Sequence, residues 1–172
     1  EEIVRHCGTP VMWKTGHSFI KHKMNEVNAP LAGEMSGHIF FKERWYGFDD
    51  ALYTAARFIE IFSNSKKTPT ELFAELPYGV STPELRMLLA ENEHTNFMKE
   101  FSDNIFTLNA DIIDIDGLRA EYNDGWGLVR PSNTSPYIIF RFEGDTALVL
   151  KRIKSEFRSI VRLIKPTADI PF

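Results

Sequence analysis

The stretch YIIFRFEGDTALVLKRIKSEFRSIVRLIK, residues 137–165, determines the fold class that we predict for the second half of the chain. Its first eight residues alternate, with Ile138, Phe140 and Phe142 on one face, which is typical of a strand with one buried side. From residue 145 onward the apolar positions recur at helical spacing, which predicts an amphipathic helix over residues 145–165. The residues on its buried side are Leu150, Ile153, Phe157, Ile160, Val161 and Ile164. Such a strand followed by such a helix indicates a sheet with a helix packed on one face.

The opposite side of this helix is basic. Its residues are Lys151, Arg152, Lys154, Arg158 and Arg162. We interpret it as a solvated helix face, with a membrane or nucleic-acid surface as the alternative. The net charge of -4 argues against a nucleic-acid partner, because non-specific binding to nucleic acids needs a basic surface. No apolar run is long enough to span a bilayer, so we expect no membrane partner either.

Upstream of the alternating strand, residues 110–130 (ADIIDIDGLRAEYNDGWGLVR) read as short strands interrupted by two Asp-Gly pairs. Asp116-Gly117 and Asp124-Gly125 favour tight hairpin turns. The acidic run at 111–116 superficially resembles a metal-binding loop, but we interpret it as strand alternation. Residues 78–172 are therefore predicted to form an α+β domain with a mostly antiparallel sheet and helices on one face.

The first half of the chain reads as a helix, two strands and a second helix. Residues 16–28 have apolar side chains at helical spacing, and Thr15 is the expected N-cap. Short apolar runs on either side of a glycine-rich loop predict two strands, the second at residues 38–42. Residues 49–64 predict a helix that starts at two aspartates. Its apolar stripe consists of Leu52, Ala55, Ala56, Ile59 and Phe62.

A domain boundary is predicted close to Pro77. A short helix over residues 70–77 would stop at this proline, and the segment PYGVSTPE (77–84) is rich in turn-forming residues. We therefore divide the chain into residues 1–77, the end of an α/β domain, and residues 78–172.

The cysteine content bears on the compartment. Cys7 is the only cysteine among 172 residues, so no disulfide can form within the chain, which favours a reducing, cytoplasmic location. His6 and Cys7 have no second pair of ligands nearby, so no metal site is predicted there. The chain starts at Glu1 without a methionine, and we expect it to be a piece of a longer protein.

Three polar loops have the chemistry of a binding site. The first is RPSNTSP, residues 130–136. Arg130 offers a planar fork that can bind a phosphate through two hydrogen bonds, and the hydroxyls and amide that follow it add donors. These further donors are Ser132, Asn133 and Thr134. Several donors without an acidic residue suit a phosphate dianion; the alternative is an ordinary polar hairpin loop.

The second loop is GEMSGH, residues 33–38. Glu34 can accept hydrogen bonds from two vicinal hydroxyls, Ser36 can donate or accept, and His38 can reach a hydroxyl or a phosphate. Gly37 permits a positive φ and close approach of a ligand to the backbone. Acceptors mixed with donors suit a sugar. The alternative is a turn whose polar side chains face water.

The third loop is WKTGHS, residues 13–18, at the start of a predicted helix where anions are favoured. Lys14 could contact an anion there, and His17 could transfer a proton near neutral pH. The alternative for His17 is an exposed histidine in a first helical turn.

Taken together, GEMSGH followed by FFKERWYGFDD, and then GWGLVRPSNTSP, resemble the C-terminal part of the α-D-phosphohexomutases, the phosphomannomutase/phosphoglucomutase family. The resemblance covers nearly the whole chain, from PVMWKTGHSFIK to the closing IPF. It implies that residues 1–77 are the C-terminal part of domain three, an α/β/α sandwich. It also implies that residues 78–172 are domain four, a TATA-binding-protein-like α+β domain.

The resemblance also implies a reaction. Members of the family interconvert hexose 1-phosphates and 6-phosphates through a phosphoserine and a bisphosphate intermediate (glucose or mannose 1,6-bisphosphate), with Mg²⁺ bound by an aspartate-rich loop. Neither the phosphoserine loop nor the metal loop occurs in this sequence. We expect both to lie in preceding N-terminal domains of the same protein, with which this chain would work. The chain alone is then expected to bind a hexose phosphate without turning it over.

Residue by residue, the resemblance assigns two sets of substrate contacts. In the first half of the chain the substrate-binding residues are His17, Glu34, Met35, Ser36, Gly37 and His38, with Lys14 as a possible addition. Of these, Glu34 and Ser36 are assigned to the sugar hydroxyls. The phosphate-binding set is Arg130, Pro131, Ser132, Asn133 and Thr134. Met35 and Asn133 favour mannose and glucose phosphates over glucosamine phosphate. The alternatives are a phosphoglucosamine mutase and a non-catalytic phosphosugar-binding module.

Overall fold

The computed structural model describes residues 2–77, 79–90, 93–132 and 135–172. The chain divides into two compact units, residues 1–77 and residues 78–172. In the parts of the chain that the structure describes, no helix combines the length and the apolar character needed to cross a membrane.

The first unit contains a short antiparallel hairpin and four helices. In chain order they are α1 (Glu2–Arg5), α2 (His17–Glu26), β1 (Leu31–Gly33), β2 (Ile39–Phe41), α3 (Ala51–Ser63) and α4 (Pro69–Phe73). In the hairpin Leu31 lies opposite Phe41 and Gly33 lies opposite Ile39. The two strands predicted on either side of the glycine-rich loop are thereby confirmed.

Helix α2 begins differently from the prediction. The N-cap position is Gly16 rather than Thr15, and no side chain caps the helix there. Gly16 has a φ of 127°, a conformation that favours glycine. Of the apolar residues predicted along this helix, Met24 is buried, whereas Phe19 and Val27 are exposed.

Helix α3 starts as predicted but contacts the hairpin through a different face. The carboxylate of Asp50 accepts the backbone N–H of Tyr53 at 2.9 Å, which confirms an aspartate cap. The predicted apolar stripe is not buried, since Leu52 is 86% exposed. Instead the ring of Tyr53 lies 5.5 Å from that of Phe41, and the Arg57 guanidinium lies 4.7 Å from the same Phe41 ring.

Helix α4 is shorter than the predicted helix over residues 70–77, because it ends at Phe73. It has a complete capping box, in which Thr68 accepts from the backbone of Glu71 and the Glu71 carboxylate accepts the backbone N–H of Thr68. The chain leaves the helix at Ala74, before it reaches Pro77.

The second unit is an antiparallel sheet with two long helices. The sheet and the helix after residue 145 are as predicted, whereas the other helix was not predicted. Its elements are β3 (Val80–Ser81), β4 (Leu85–Leu88), α5 (His94–Ile105), β5 (Asp111–Ile113), β6 (Leu118–Tyr122), β7 (Gly125–Pro131), β8 (Tyr137–Gly144) and α6 (Ala147–Ile164). The strand order is β3-β8-β7-β6-β5, and β4 also pairs with β8. All of these pairs are antiparallel.

The core of the second unit lies between one face of the sheet and the helices. Ile138, Phe140 and Phe142 are fully buried, so the alternation predicted for β8 is confirmed. The ring of Phe142 lies 5.2 Å from that of Phe157 on α6, in an edge-to-face arrangement. The opposite face of the sheet carries the residues that alternate with the core residues along each strand, such as Arg141 and Glu143 on β8.

Three details of the second unit differ from the sequence prediction. The hairpin between β6 and β7 turns at Asn123 and Asp124, because Gly125 already pairs with Tyr122. Helix α5 was not predicted at all, although Phe97 and Phe101 are buried in the core. On α6, Leu150 and Ile164 are partly rather than fully buried.

Candidate functional site

The loop between β1 and β2 is a tight connection closed by its own backbone. The N–H of Glu34 donates to the carbonyl of His38 at 2.9 Å, and the N–H of Gly37 donates to the carbonyl of Glu34 at 3.0 Å. Gly37 has a φ of 93°, which a residue with a side chain rarely adopts. The side chains of Met35 and Ser36 are exposed at the tip. The predicted sugar-binding loop is thus a well-defined turn.

The carboxylate of Glu34 is tied to the start of helix α2. The backbone N–H of Gly16 donates to Glu34 Oε2 at 3.1 Å, where the helix dipole also favours a negative charge. The other oxygen, Oε1, is buried and has no hydrogen-bond partner in the described part of the chain. One carboxylate oxygen is therefore fixed by the backbone, and the second has unused acceptor capacity.

The imidazole of His38 contacts a carboxylate eleven residues further along the chain. His38 Nδ1 lies 2.6 Å from Asp49 Oδ2, and the two side chains are 48% and 35% exposed. The ring of His17 lies next to this pair, with its centroid 6.5 Å from that of His38. The structure thus brings together His17, Glu34 and His38, which belong to two separate sequence stretches. Lys14 is exposed and has no hydrogen bond or ion pair to any described residue.

The predicted phosphate-binding loop follows β7. Arg130 and Pro131 are the last residues of that strand, and Ser132 comes next. The N–H of Ser132 donates to the carbonyl of Tyr137 at 2.9 Å, and its hydroxyl lies 2.8 Å from that of Ser135. Asn133 and Thr134, two of the five predicted phosphate ligands, lie outside the described residues.

A glycine in the connection between β5 and β6 leaves room for the Arg130 side chain. Gly117, between β5 and β6, has a φ of 80°. A Cβ atom on Gly117 would lie 2.4 Å from the Cβ of Arg130 and 2.4 Å from the carbonyl oxygen of Val129. The backbone at Gly117 therefore crosses close over the base of the Arg130 side chain, and only glycine fits there.

The structure places a second arginine, not predicted from the sequence, beside Arg130. Arg130 pairs with Ile139 on the neighbouring strand, and Arg141 lies two residues further along that strand. The two arginines therefore lie on the same face of the sheet, opposite the core. They are diagonal neighbours on adjacent strands, and the Cα atoms of such neighbours are about 7–8 Å apart. The Nε of Arg141 is buried without a hydrogen-bond partner in the described residues.

Within the described ranges neither Arg130 nor Arg141 has a counter-charge, a carbonyl or an aromatic ring as partner, whereas each of the other arginines has at least one of these. Those with an ion pair, a carbonyl or an aromatic ring as partner are Arg5, Arg44, Arg57, Arg86, Arg119, Arg152, Arg158 and Arg162. Two partly buried guanidinium groups without a counter-charge favour an anion beside them. The alternation in residues 137–144 contained a signal for Arg141, because it puts this residue opposite the Phe140 face.

The chain segment that carries Asp49 is anchored by a network of ion pairs. Arg44 binds Glu60, and Arg57 binds Glu43 at 2.7 Å. The hydrogen bond from Arg57 lowers the pKa of the Glu43 carboxyl, and the hydrogen bond from Arg44 lowers that of Glu60. This network connects the loop after β2 to helix α3.

No group of three or more metal-ligating side chains occurs among the residues that the structure describes. The acidic run at 111–116 was interpreted as strand alternation. This is confirmed for residues 111–113, which form β5, but not for residues 114–116, which lie in the connection to β6.

Models of two protein domains match the chain. The model described as phosphoglucomutase/phosphomannomutase, alpha/beta/alpha domain III, matches residues 1–78. The model described as phosphoglucomutase/phosphomannomutase, C-terminal domain, matches residues 83–160.

Individual relatives give the same result. A phosphomannomutase/phosphoglucomutase of Pseudomonas aeruginosa is 46% identical over 170 residues, which are 99% of this chain and 37% of that protein. A phosphoglucomutase of Neisseria meningitidis is 49% identical over 161 residues, 92% of this chain and 35% of that protein. The crystal structure of a phosphoglucomutase/phosphomannomutase family protein from Burkholderia thailandensis superimposes with a TM-score of 0.91 at 46% identity, covering 99% of this chain and 36% of that one.

The chain thus spans little more than a third of the length of the curated relatives that it matches. The two domain models together cover most of its residues, and the resemblance seen in its three loops extends over both units. The chain belongs to the phosphoglucomutase/phosphomannomutase family.

Proposed function

We propose that this chain is the substrate-recognition part of a mutase that interconverts the 1-phosphates and 6-phosphates of mannose or glucose. The observation that carries the proposal is the pair of arginines on the open face of the second unit. Arg130 and Arg141 are partly buried and lack a counter-charge in the described residues. A phosphate dianion would supply that charge and accept their hydrogen bonds.

The hydroxyls of the sugar are assigned to the loop of the first unit. Glu34 is the main acceptor, since Gly16 fixes one of its oxygens and the other has no partner among the described residues. Ser36 at the exposed tip donates or accepts as the hydroxyl requires. A loop with both acceptors and donors can bind equatorial hydroxyls in either of the two orientations that a mutase substrate must adopt.

The phosphate that is not reacting is assigned to the loop of the second unit. Arg130 provides the planar fork, and Ser132, Asn133 and Thr134 provide further donors. Because the loop contains no carboxylate, it presents only groups that attract the phosphate. Separate loops for hydroxyls and phosphate let the same residues serve both half-reactions.

The phosphoryl transfer itself is assigned to N-terminal domains of a longer protein. A phosphoserine and Mg²⁺ there would supply the transferable group and stabilise its charge. In this proposal the residues of this chain bind and orient the substrate, and the metal is assigned to the N-terminal domains. A location in the cytoplasm is part of the same proposal.

The proposal is tested by an NMR titration of the amide signals with mannose 6-phosphate and with glucose 1-phosphate, first on this chain and then on the longer protein. We expect shifts confined to residues 34–38 and 130–134. Unphosphorylated mannose is the matched control and should leave the second loop unchanged. The absence of shifts from both proteins at millimolar ligand would contradict the proposal.

Two further outcomes separate the alternatives. Tighter binding of glucosamine 6-phosphate than of mannose 6-phosphate would indicate a phosphoglucosamine mutase. A longer protein that binds hexose phosphates but converts none of them would be a binding module. Turnover of mannose or glucose phosphates by the longer protein is the result that the proposal predicts.

A further inference from the structure

The two consecutive aspartates before helix α3 have different roles. Asp50 caps the helix by accepting the N–H of Tyr53, and it also accepts Trp45 Nε1–H at 3.1 Å. Asp49 takes no part in the cap. Its carboxylate instead contacts His38 at 2.6 Å. From the sequence, both aspartates were expected only to suit a helix start. In the structure Asp49 contacts His38 instead of capping the helix.

The backbone places Asp49 beside His38. Asp49 forms an isolated antiparallel bridge with Phe40, which is fully buried in β2. Gly47, with a φ of 77°, turns the chain back toward the strand, and its N–H donates to the carbonyl of Phe41 at 2.8 Å. The carboxylate therefore reaches His38 from a backbone that is itself attached to the strand following the loop.

This contact determines which nitrogen of the imidazole carries the proton. A carboxylate only accepts hydrogen bonds, so the nitrogen that faces it, Nδ1, must carry hydrogen. In the neutral ring the other nitrogen, Nε2, then has a free lone pair. The structure shows no other hydrogen-bond or ion-pair partner for the His38 imidazole among the described residues.

We propose that Asp49 is a positioning residue, which holds His38 in the tautomer and ring orientation that present Nε2 as a hydrogen-bond acceptor to a hydroxyl of the sugar phosphate. The inference rests on the function proposed above, because it gives His38 a substrate hydroxyl as its partner. It adds to that function a residue outside the loop 33–38 on which the chemistry of the loop depends. Asp49 itself does not contact the substrate.

The first test measures the tautomer directly in this chain without any ligand. Nitrogen-15 NMR of the His38 ring distinguishes a protonated from an unprotonated ring nitrogen at a pH where the imidazole is neutral. We expect protonated Nδ1 and bare Nε2 in the native chain. Asp49→Asn should shift the ring toward the other tautomer, and Asp49→Glu should restore the native one.

The matched control is Asp50→Asn, which makes the same chemical change one residue further on. Asparagine remains a good N-cap, so α3 should persist, and the His38 signals should not change. An unaltered tautomer in Asp49→Asn would overturn the proposal. The amide spectrum of Asp49→Asn shows whether this variant folds. If it does not, the proposal is tested by the spectra of the native chain and of Asp49→Glu. A protonated Nε2 with a bare Nδ1 in the native chain would overturn the proposal.

The second test uses turnover by the longer protein. We expect Asp49→Asn to reduce kcat/KM for the hexose phosphate at least about tenfold, with partial recovery in Asp49→Glu. A tautomer shift without a loss of kcat/KM would overturn the positioning role. If the native longer protein converts no hexose phosphate, the proposed function fails, whereas the tautomer result still reports on the contact between Asp49 and His38.

Discussion

The two units of this chain position their proposed binding loops by different means. In the second unit the phosphate loop follows a strand whose neighbours Phe140 and Phe142 are fully buried in a continuous core. In the first unit Met24 and Phe40 are the buried hydrophobic residues among those described, and the sugar loop is fixed by hydrogen bonds from Gly16 and to Asp49. Apolar packing thus fixes the strand that leads into one loop, and polar contacts fix the other loop itself.

The difference predicts unequal responses to loss of an aromatic side chain. Phe157→Ala removes a fully buried ring from the core of the second unit and should reduce the free energy of unfolding by about 3–5 kcal/mol. Phe58→Ala in the first unit removes a ring that is 39% exposed, and should cost less than about 1 kcal/mol. Denaturant unfolding followed by the amide signals of each unit measures both. Equal losses would contradict the comparison.

Much of the second unit could be predicted from the sequence, because its core has strong periodic signals. The alternation at 137–144 and the helical spacing after residue 145 both correspond to residues that are buried in one cluster. Helix α5 escaped prediction although Phe97 and Phe101 are four residues apart. The first unit was less predictable in its packing, since the stripe containing Leu52 is apolar in sequence yet exposed in this chain.

The residues of the candidate site also divide into those that the sequence identified and those that only the structure revealed. Glu34, His38 and Arg130 were identified from residue chemistry and from the resemblance. Asp49 could not be identified in that manner, because its contact with His38 depends on which strands and loops are neighbours. For Arg141 the alternation indicated the face of the sheet, but not that Arg130 lies on the neighbouring strand. The bridge between Phe40 and Asp49 and the register of β7 on β8 arise from tertiary structure, and local sequence patterns do not specify them.

The second prediction compares two glycines with positive φ. Gly117→Ala introduces a Cβ that meets backbone and Arg130 at 2.4 Å, so it should cost at least about 2 kcal/mol and disturb the phosphate loop. Gly37→Ala has open space around the new Cβ, so only the backbone conformation is penalised, by about 1 kcal/mol. Thermal unfolding of both variants checks the order, and a larger effect at Gly37 would reverse the comparison.

The third prediction concerns the guanidinium of Arg130. In the longer protein Arg130→Ala should raise the KM for hexose phosphate strongly and slow turnover. The loss of charge-assisted hydrogen bonds corresponds to about a 10- to 100-fold loss of affinity. Lys154→Ala, a basic residue on the outer side of α6, is the control and should bind normally. Unchanged kinetics in Arg130→Ala would remove this residue from the site.

The smallest expected effect is the acid sensitivity of the polar network in the first unit. Because Arg44 and Arg57 lower the pKa of Glu60 and Glu43, these carboxylates stabilise the fold above their ordinary pKa of 4.5. That contribution is lost as the pH falls through the lowered folded-state values. Arg44→Gln should reduce the acid dependence of unfolding, which titration of the tryptophan fluorescence can follow. An unchanged acid profile would show that the network contributes nothing measurable.

Hydrogen exchange of the backbone amides in the intact chain tests the central comparison most directly. If apolar packing stabilises the second unit and exposed polar contacts stabilise the first, amides of β7 and β8 should exchange only by global unfolding of the second unit. Amides of the loop 34–38 and of helix α3 should then exchange much faster, through local opening. Equal protection in both units would contradict the account, because it would mean that the first unit is as well packed as the second.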